Sequence, residues 1–384
     1  MTPPKRPMHI VFLCSEYPPF SHGGIGSFVY TAATSLVKQG VKTSVVGIYR
    51  DIPFQKEINE GVTIFRIPSK RIPKIGFILD NLNLLRLIKQ IDRENPIDVI
   101  EGQEASFAFL PRNSSWKKII RMHGGHHFFY TELGKKPRPW RSWLEKRSFA
   151  KADFFCAVSN YVANRTRQLL KLGNKSITII PNSIDTQLFS PKDISEEPGM
   201  IVFVGTIAEK KGVRQLIEAF PMVLNNDAAA RLYLIGRDTF DIKTHKSFFQ
   251  ELVKNLSKNV CESIHFIGPI PTQEVPSWLA RAQVCIFPSH MEAQGIVIIE
   301  AMSCGKAVIA SKTGPGPEII DDGINGLLCD PFSPLSIAEK INTLLTDNNL
   351  RNTLGVNARN RVVVDFSSDL LVIKNIEFYK ECIR

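Results

Sequence analysis

The feature that most restricts this chain is a rhythm: short runs of β-branched and apolar residues alternate with amphipathic stretches of helix length, and after one interruption the rhythm starts again. Strands separated by helix-length segments cannot be joined as tight hairpins. They need crossover connections, so the sheet they form is mainly parallel and covered by helices. The chain is therefore expected to be α/β.

In the first half, Ile10–Cys14, Thr43–Gly47, Val62–Arg66, Val99–Glu101, Lys118–Met122, Phe154–Val158 and Ile177–Ile180 read as strands. The interruption is Pro181–Gly199, which carries proline, serine and acidic residues with little periodicity and reads as an interdomain linker. Alternation then resumes with strands at Ile201–Val204, Arg231–Ile235, His265–Ile267, Val284–Phe287 and Ala307–Ala310. Helices are expected at Val213–Leu224, near Gly295–Cys304, at Pro334–Leu345 and at Leu370–Ile383. A single core rarely grows beyond roughly 250 residues, so 384 residues imply two. The expected division is a first domain over residues 1–190, a second over 191–365, and a last helix within 366–384 packing back toward the first.

Charge is distributed unevenly. Residues 1–190 hold 28 Lys and Arg against 14 Asp and Glu, and residues 191–384 hold 20 against 23, so the halves carry +14 and −3. A one-sided basic field gathers anions, which include lipid phosphates, nucleic acid and anionic membrane. Between Lys135 and Lys151, seven basic residues interleave with Trp140, Trp143 and Phe149. Such a segment can lie on an anionic membrane, suiting a lipid-linked acceptor, with Arg66–Lys89 extending the surface. The bland alternative is a solvated helix whose tryptophans are buried against the first sheet. Nucleic acid is not expected as a partner, because no zinc finger, aromatic RNA-binding strand or basic repeat accompanies the charge.

No stretch approaches the 18 or so apolar residues of a membrane span, and the run after Lys5 and Arg6 ends at Glu16 without a cleavage signal. A cytoplasmic protein, peripheral at most on the inner face of the membrane, is the expectation. The seven cysteines are scattered without a C-x-x-C pair and read as free core thiols.

Two segments carry chemistry. Gly23, Gly24 and Gly26, in S-H-G-G-I-G, follow the first strand and precede a helix, where bare N–H groups and the positive dipole end suit a phosphate or sugar oxygen. The third glycine of a dinucleotide fingerprint is missing, which speaks against nicotinamide. The stronger segment, P-S-H-M-E-A-Q-G-I-V-I-I-E-A-M-S-C-G-K from Pro288, places Glu292 and Glu300 with seven residues between them. Gly295 can open a helix there whose first N–H groups face whatever sits above Ala293, Gln294 and Gly295, a position that suits a diphosphate. Glu300 can accept hydrogen bonds from the vicinal hydroxyls of a ribose.

This spacing resembles the E-x7-E motif of the retaining glycosyltransferase family 4, whose fold is GT-B: two Rossmann-like β/α/β domains with parallel sheets facing a central cleft. V-G-T-I-A-E-K-K-G from Val204 is similar to the family's phosphate-binding loop, with Lys211 as the lysine that neutralises the donor diphosphate. R-M-H-G-G from Arg121 resembles the histidine-bearing strand end beside the donor sugar. A-V-S-N from Ala157 and the segment Ile177–Pro191 match in order, so the resemblance covers nearly the whole chain. Thr206 stands where an arginine is frequent, with Arg237 as a substitute cation, and Ser183 and Ala293-Gln294 replace a common glycine and Gly-Phe.

The resemblance implies transfer of a sugar from a UDP- or GDP-sugar to a glycan or lipid-linked acceptor with retention of configuration, in cell-envelope polysaccharide or lipopolysaccharide assembly. It implies His123, Lys211 and Glu292 as catalytic residues. Gly23, Gly24, Thr206, Lys211, Ile270, Gln294, Gly295, Ile296 and Glu300 would hold the donor, and His126 and His127 would line the acceptor side. No D-x-D motif is present, so neither metal nor other cofactor is expected. The alternatives are a sugar-nucleotide 2-epimerase of the same fold and a non-catalytic sugar-nucleotide-binding protein.

Overall fold

In the first domain the strands β1 (His9–Leu13), β2 (Lys42–Tyr49), β3 (Gln55–Asn59), β4 (Val62–Pro68), β5 (Val99–Gly102), β6 (Lys117–Met122), β7 (Phe154–Ala157) and β8 (Thr178–Ile179) form one sheet. The structure is a computed structural model that describes residues 6–20, 23–70, 72, 75–240 and 246–384. Helices α1 (Gly24–Lys38), α2 (Gly76–Glu94), α3 (His126–Glu132), α4 (Pro139–Phe149) and α5 (Asn160–Leu170) connect the strands. The order across the sheet is β3-β4-β2-β1-β5-β6-β7-β8, parallel except where β3 pairs antiparallel with β4. β1 is buried along its whole length, as a central parallel strand covered on both faces must be.

The second domain holds β9 (Met200–Val204), α6 (Val213–Asn226), β10 (Arg231–Ile235), α7 (Phe248–Val253), α8 (Lys258–Glu262), β11 (Ile264–Gly268), α9 (Val275–Arg281) and β12 (Val284–Phe287). It continues through α10 (Ile296–Ser303), β13 (Val308–Ser311), α11 (Gly316–Ile319), β14 (Leu327–Cys329), α12 (Pro334–Thr346) and α13 (Asn348–Asp365). Its sheet is wholly parallel in the order β11-β10-β9-β12-β13-β14. Numbered from its own first strand this is 3-2-1-4-5-6, the doubly wound order of dinucleotide-binding domains.

The last helix, α14 (Ser368–Ile383), returns to the first domain and packs on α1. The compact units are residues 1–183 with 368–384, and 184–367. The expected boundaries at 190/191 and 365/366 thus fall at 183/184 and 367/368. Pro181–Gly199 is not a free linker either: Ile184 bridges Ser367, and Phe189 is buried in the core of the second domain. Its polar composition hides these two anchors.

A buried polar network fixes α14. Arg121 donates to both oxygens of Glu101 (2.7 and 3.1 Å), to Asn375 Oδ1 (2.6 Å) and to Ile180 O (3.2 Å), and Tyr379 Oη donates to Glu101 (2.8 Å). Charges this deep are tolerated because each is paired and hydrogen-bonded. All seven cysteines are free, and burial pushes the thiols of Cys14, Cys285, Cys304, Cys329 and Cys382 up to about 12. Among the described residues no helix is long and apolar enough to cross a membrane.

Candidate active site

Doubly wound sheets bind ligands outside the carboxyl ends of their strands, where the strand order reverses. In the second domain that place lies at the ends of β9 and β12, and both expected donor segments begin there. After β9 the chain turns through Gly205 and Thr206 into a single 3-10 turn, Glu209–Lys211, which Gly212 ends with φ +71°. A Cβ on Gly212 would lie 1.9 Å from Pro288 O, so the loop after β9 is pressed onto the loop after β12. The N–H of His290 donates to Lys210 O across this contact (3.0 Å).

The consequence is an ion pair between Lys211 Nζ and Glu292 Oε1, the oxygen that also accepts from Ser289 Oγ (3.0 Å). Both side chains keep about a fifth of their surface in water, 20% and 18%. Because both side chains reach solvent, an incoming anion can compete with Glu292 for Lys211. Lys210 is partly buried, and desolvation followed by the charge of Lys211 lowers its pKa. A bound anion would relieve both effects.

Gly295, at φ +92°, forms the left-handed cap that starts α10, and Gln294 before it is buried. A Cβ on Gly295 would be 3.8 Å from Glu292 Cγ, which places the helix start beside the ion pair. Glu300 lies in the second turn of α10. Its residue is partly exposed, yet desolvation of the carboxyl pushes its pKa up to about 7. Among the described residues the Glu300 carboxyl has no ion pair or hydrogen bond. It is an acceptor held ready without an internal donor. Arg237 is exposed beside the turn that holds Thr206, because Ile207 N–H donates to Arg237 O (2.8 Å). Ile270 follows β11 and packs on the domain core.

In the first domain, Gly23 is the extended N-cap of α1 and Gly24 its first residue; Ser21 and His22 of the same motif lie outside the described residues, as does Lys5. The Gly23 N–H donates to Glu16 Oε2 (3.2 Å), so a carboxylate of the chain already occupies an anion-seeking amide. His123, directly after β6, is buried, its ring 5.0 Å from that of Phe28 and its N–H donating to Glu104 Oε1 (2.7 Å). Desolvation, then the charge of Arg121, pushes its pKa down to about 3, so the imidazole is neutral.

The two neighbouring histidines diverge. His126 borders a cavity of about 810 Å³ at the carboxyl ends of β1, β2, β5 and β6, its ring tilted against that of Tyr130 with centroids 4.1 Å apart. His127 is buried and pairs through Nδ1 with Glu145 of α4, which makes it an anchor between α3 and α4. Trp140 and Trp143 stack at 5.0 Å with 55% and 43% of their surfaces exposed, so they are not buried against the sheet. Lys210, Ser289, Glu104 and Glu145 escape sequence reasoning. The K-K-G run could have pointed to Lys210 and the P-S-H-M-E run to Ser289; Glu104 and Glu145 come together in the first domain only through tertiary contacts.

Two doubly wound domains, one carrying an E-x7-E pair against a lysine loop, describe a class of enzyme that known proteins make definite. The family model for Glycosyltransferase Family 4 matches residues 22–188, and that for Glycosyl transferases group 1 matches residues 185–361. The chain belongs to glycosyltransferase family 4 and is a glycosyltransferase of the GT-B fold. It is 25% identical to N-acetyl-alpha-D-glucosaminyl L-malate synthase of Bacillus anthracis over 91% of this chain and 89% of that one. Its fold matches sucrose-phosphate synthase from Thermosynechococcus elongatus with a TM-score of 0.82 at 21% identity, covering 97% and 98% of the two chains. It also matches Anabaena HepE in complex with UDP-glucose, with a TM-score of 0.72 at 18% identity over 97% and 100%.

Proposed function

We propose that this chain transfers a sugar from a nucleoside diphosphate-sugar to a glycan or lipid-linked acceptor with retention of anomeric configuration. The observation that carries the reading is the pairing of Lys211 with Glu292 beside the start of α10, with Glu300 unpartnered one turn further on. As the glycosidic bond breaks, charge accumulates on the leaving diphosphate, and fixed cations and amides that meet that charge lower the barrier. Lys211 is the cation, with Lys210 next to it and Arg237 near Thr206; the amides of Gln294, Gly295 and Ile296 are the dipole end. Glu300 takes the ribose hydroxyls. Glu292, released from Lys211, orients the donor sugar.

Neutral His123 suits hydrogen bonding to a sugar hydroxyl, and its low pKa makes it a poor proton acceptor. The acceptor proton then passes to the departing phosphate oxygen. In this scheme Lys211 and the helix amides supply the stabilisation of the leaving diphosphate, and no step calls on a metal. UDP is the first base to test, because HepE is a fold neighbour in complex with UDP-glucose. The basic first domain with exposed Trp140 and Trp143 supports peripheral contact with an anionic membrane and a role in cell-envelope polysaccharide or lipopolysaccharide assembly.

The test is a calorimetric screen of UDP- and GDP-sugars, followed by acceptor-free hydrolysis of the best ligand and determination of the released sugar's anomer. Binding that depends on Lys211 and Glu300, with the α- or β-configuration kept, supports the reading. Absence of binding, or an epimerised sugar nucleotide as product, overturns it.

A further inference from the structure

Among the described residues neither ring nitrogen of His123 has a hydrogen-bond partner, so the direction of its imidazole depends on the ring of Phe28 (5.0 Å) and on the main chain that bears it. That main chain is the tight turn between β6 and α3. Gly124 takes φ +86°, and a Cβ on Gly125 would stand 1.8 Å from Glu145 Oε1 and 2.8 Å from Glu104 Cγ. The turn therefore admits no side chain at either glycine, and two glutamates enclose it.

Each glutamate holds one end. Glu104 Oε1 accepts from the N–H of His123 (2.7 Å) at the start of the turn, and Glu145 Oε2 accepts from the N–H of His127 (3.0 Å) at its close. Between them, His126 Nε2 accepts from the N–H of Arg138 (2.7 Å), which ties the turn to the start of α4. Glu104 can serve as a fixed post because its own loop after β5 is pinned twice. The Gln103 N–H donates to Ser106 Oγ (2.9 Å), and the Phe107 N–H donates to Ser148 Oγ of α4 (3.0 Å).

What Glu104 does there needs no charge. Burial first, then the charge of Glu145, pushes its pKa up to about 8 against the amides of Glu104 itself, His123 and Gly124. A protonated carboxyl still offers a carbonyl oxygen to an N–H, and so does a glutamine amide of the same shape; a methionine of similar length offers only a weakly accepting sulfur. Without the oxygen, the His123 N–H is left buried and unpartnered, a defect that the turn can relieve only by moving.

We propose that Glu104 is a positioning residue for His123, acting through this main-chain hydrogen bond as an acceptor and not as a charge or a substrate contact. The proposal rests on the glycosyltransferase reading, in which the His123 imidazole meets the donor sugar, and adds to it the residue that aims the imidazole.

The test is acceptor-free hydrolysis of the tightest-binding sugar nucleotide by Glu104→Gln, Glu104→Met, His123→Ala and the Glu104→Met/His123→Ala pair. Glu104→Met is expected to lower kcat about 10–100-fold, the scale for a group displaced by about 1 Å, with the donor KM within about twofold of wild type. Glu104→Gln should keep kcat within about threefold, since the acceptor oxygen remains. On top of His123→Ala, the methionine should cost nothing further, because its route to the chemistry is already cut. A methionine variant with wild-type kcat, or losses that add in the pair, would overturn the proposal. So would a glutamine variant slowed about tenfold or more, whether or not the methionine variant folds. Amide hydrogen exchange of the full chain, read by mass spectrometry on peptides spanning residues 123–127, gives a second measure that needs no activity. Exchange should quicken in Glu104→Met and stay at the wild-type rate in Glu104→Gln; unchanged exchange in both rejects the hold on the turn. A wild-type chain that binds no sugar nucleotide, or epimerises one, rejects the transferase reading, and the exchange pattern then decides on Glu104 alone.

Discussion

Gly212 and Pro288 touch so closely that a single added carbon on the glycine would stand 1.9 Å from the proline carbonyl oxygen. Through this contact the loop after β9 borrows its position from the loop after β12, and Lys211 meets Glu292. Gly212→Ala must therefore move backbone, and it adds the strain of a left-handed alanine, about 1–3 kcal/mol. Thermal melts should show the variant folded but destabilised, with nucleotide affinity reduced further than Lys210→Ala reduces it. A variant with wild-type affinity would disprove the coupling between the loops.

Lys211 and Glu300 should fail in different ways. Lys211→Ala removes a cation from the leaving group and is expected to lower kcat by about 10²–10³-fold. Glu300→Ala removes a ground-state contact and should raise the donor KM by about tenfold with a smaller change in kcat. Steady-state kinetics on both variants, with the sugar nucleotide varied, separate the two. Identical patterns would mean that one of the roles is misassigned.

The pKa of Glu300 sets a pH dependence whose sign can be worked out. Its folded value, about 7, lies above the ordinary carboxyl value of 4.5, so between these pH values the native state binds more protons than the unfolded one. This residue's contribution to stability is full below about 4.5 and declines as pH rises to about 7. Donor affinity should run the other way, strengthening as the carboxylate forms near pH 7. Glu300→Gln should flatten both profiles, as read by denaturant melts and calorimetry across pH 5–9.

The Arg121–Glu101 pair makes a structural prediction. Arg121→Met leaves Glu101 buried without its cation and should cost about 3–5 kcal/mol, while adding Glu101→Leu should recover a large part of the loss. Urea melts of the single and double variants check it. A double variant no more stable than the single one would show that Tyr379 and Asn375, not the charge, carry the anchor.

Sequence patterns revealed the parallel strands because each is a continuous apolar run, and the E-x7-E pair because both glutamates sit in one helix-bearing segment. They missed β3, whose burial pattern is almost wholly exposed, and β14, only three residues long. They missed α13 as well. Its long polar stretches blur the 3.6-residue period, although Leu354, Ala358 and Val362 are fully buried. Of the site, Lys211, Glu292 and Gly295 were readable as local motifs. Glu104 and Glu145 were not, because their neighbourhood forms only when α4 folds back over the turn at Gly125.

The return of α14 to the first domain has a consequence for biogenesis. On a ribosome, β1 to β8 emerge early, but the helix that covers α1 and completes the Arg121 network is translated only after the whole second domain. Until then Arg121 and Glu101 face a gap that Asn375 and Tyr379 will fill. A chain that stops near residue 368 therefore leaves Arg121 and Glu101 without Asn375 and Tyr379, and the damage falls on β5 and β6, far upstream of the stop.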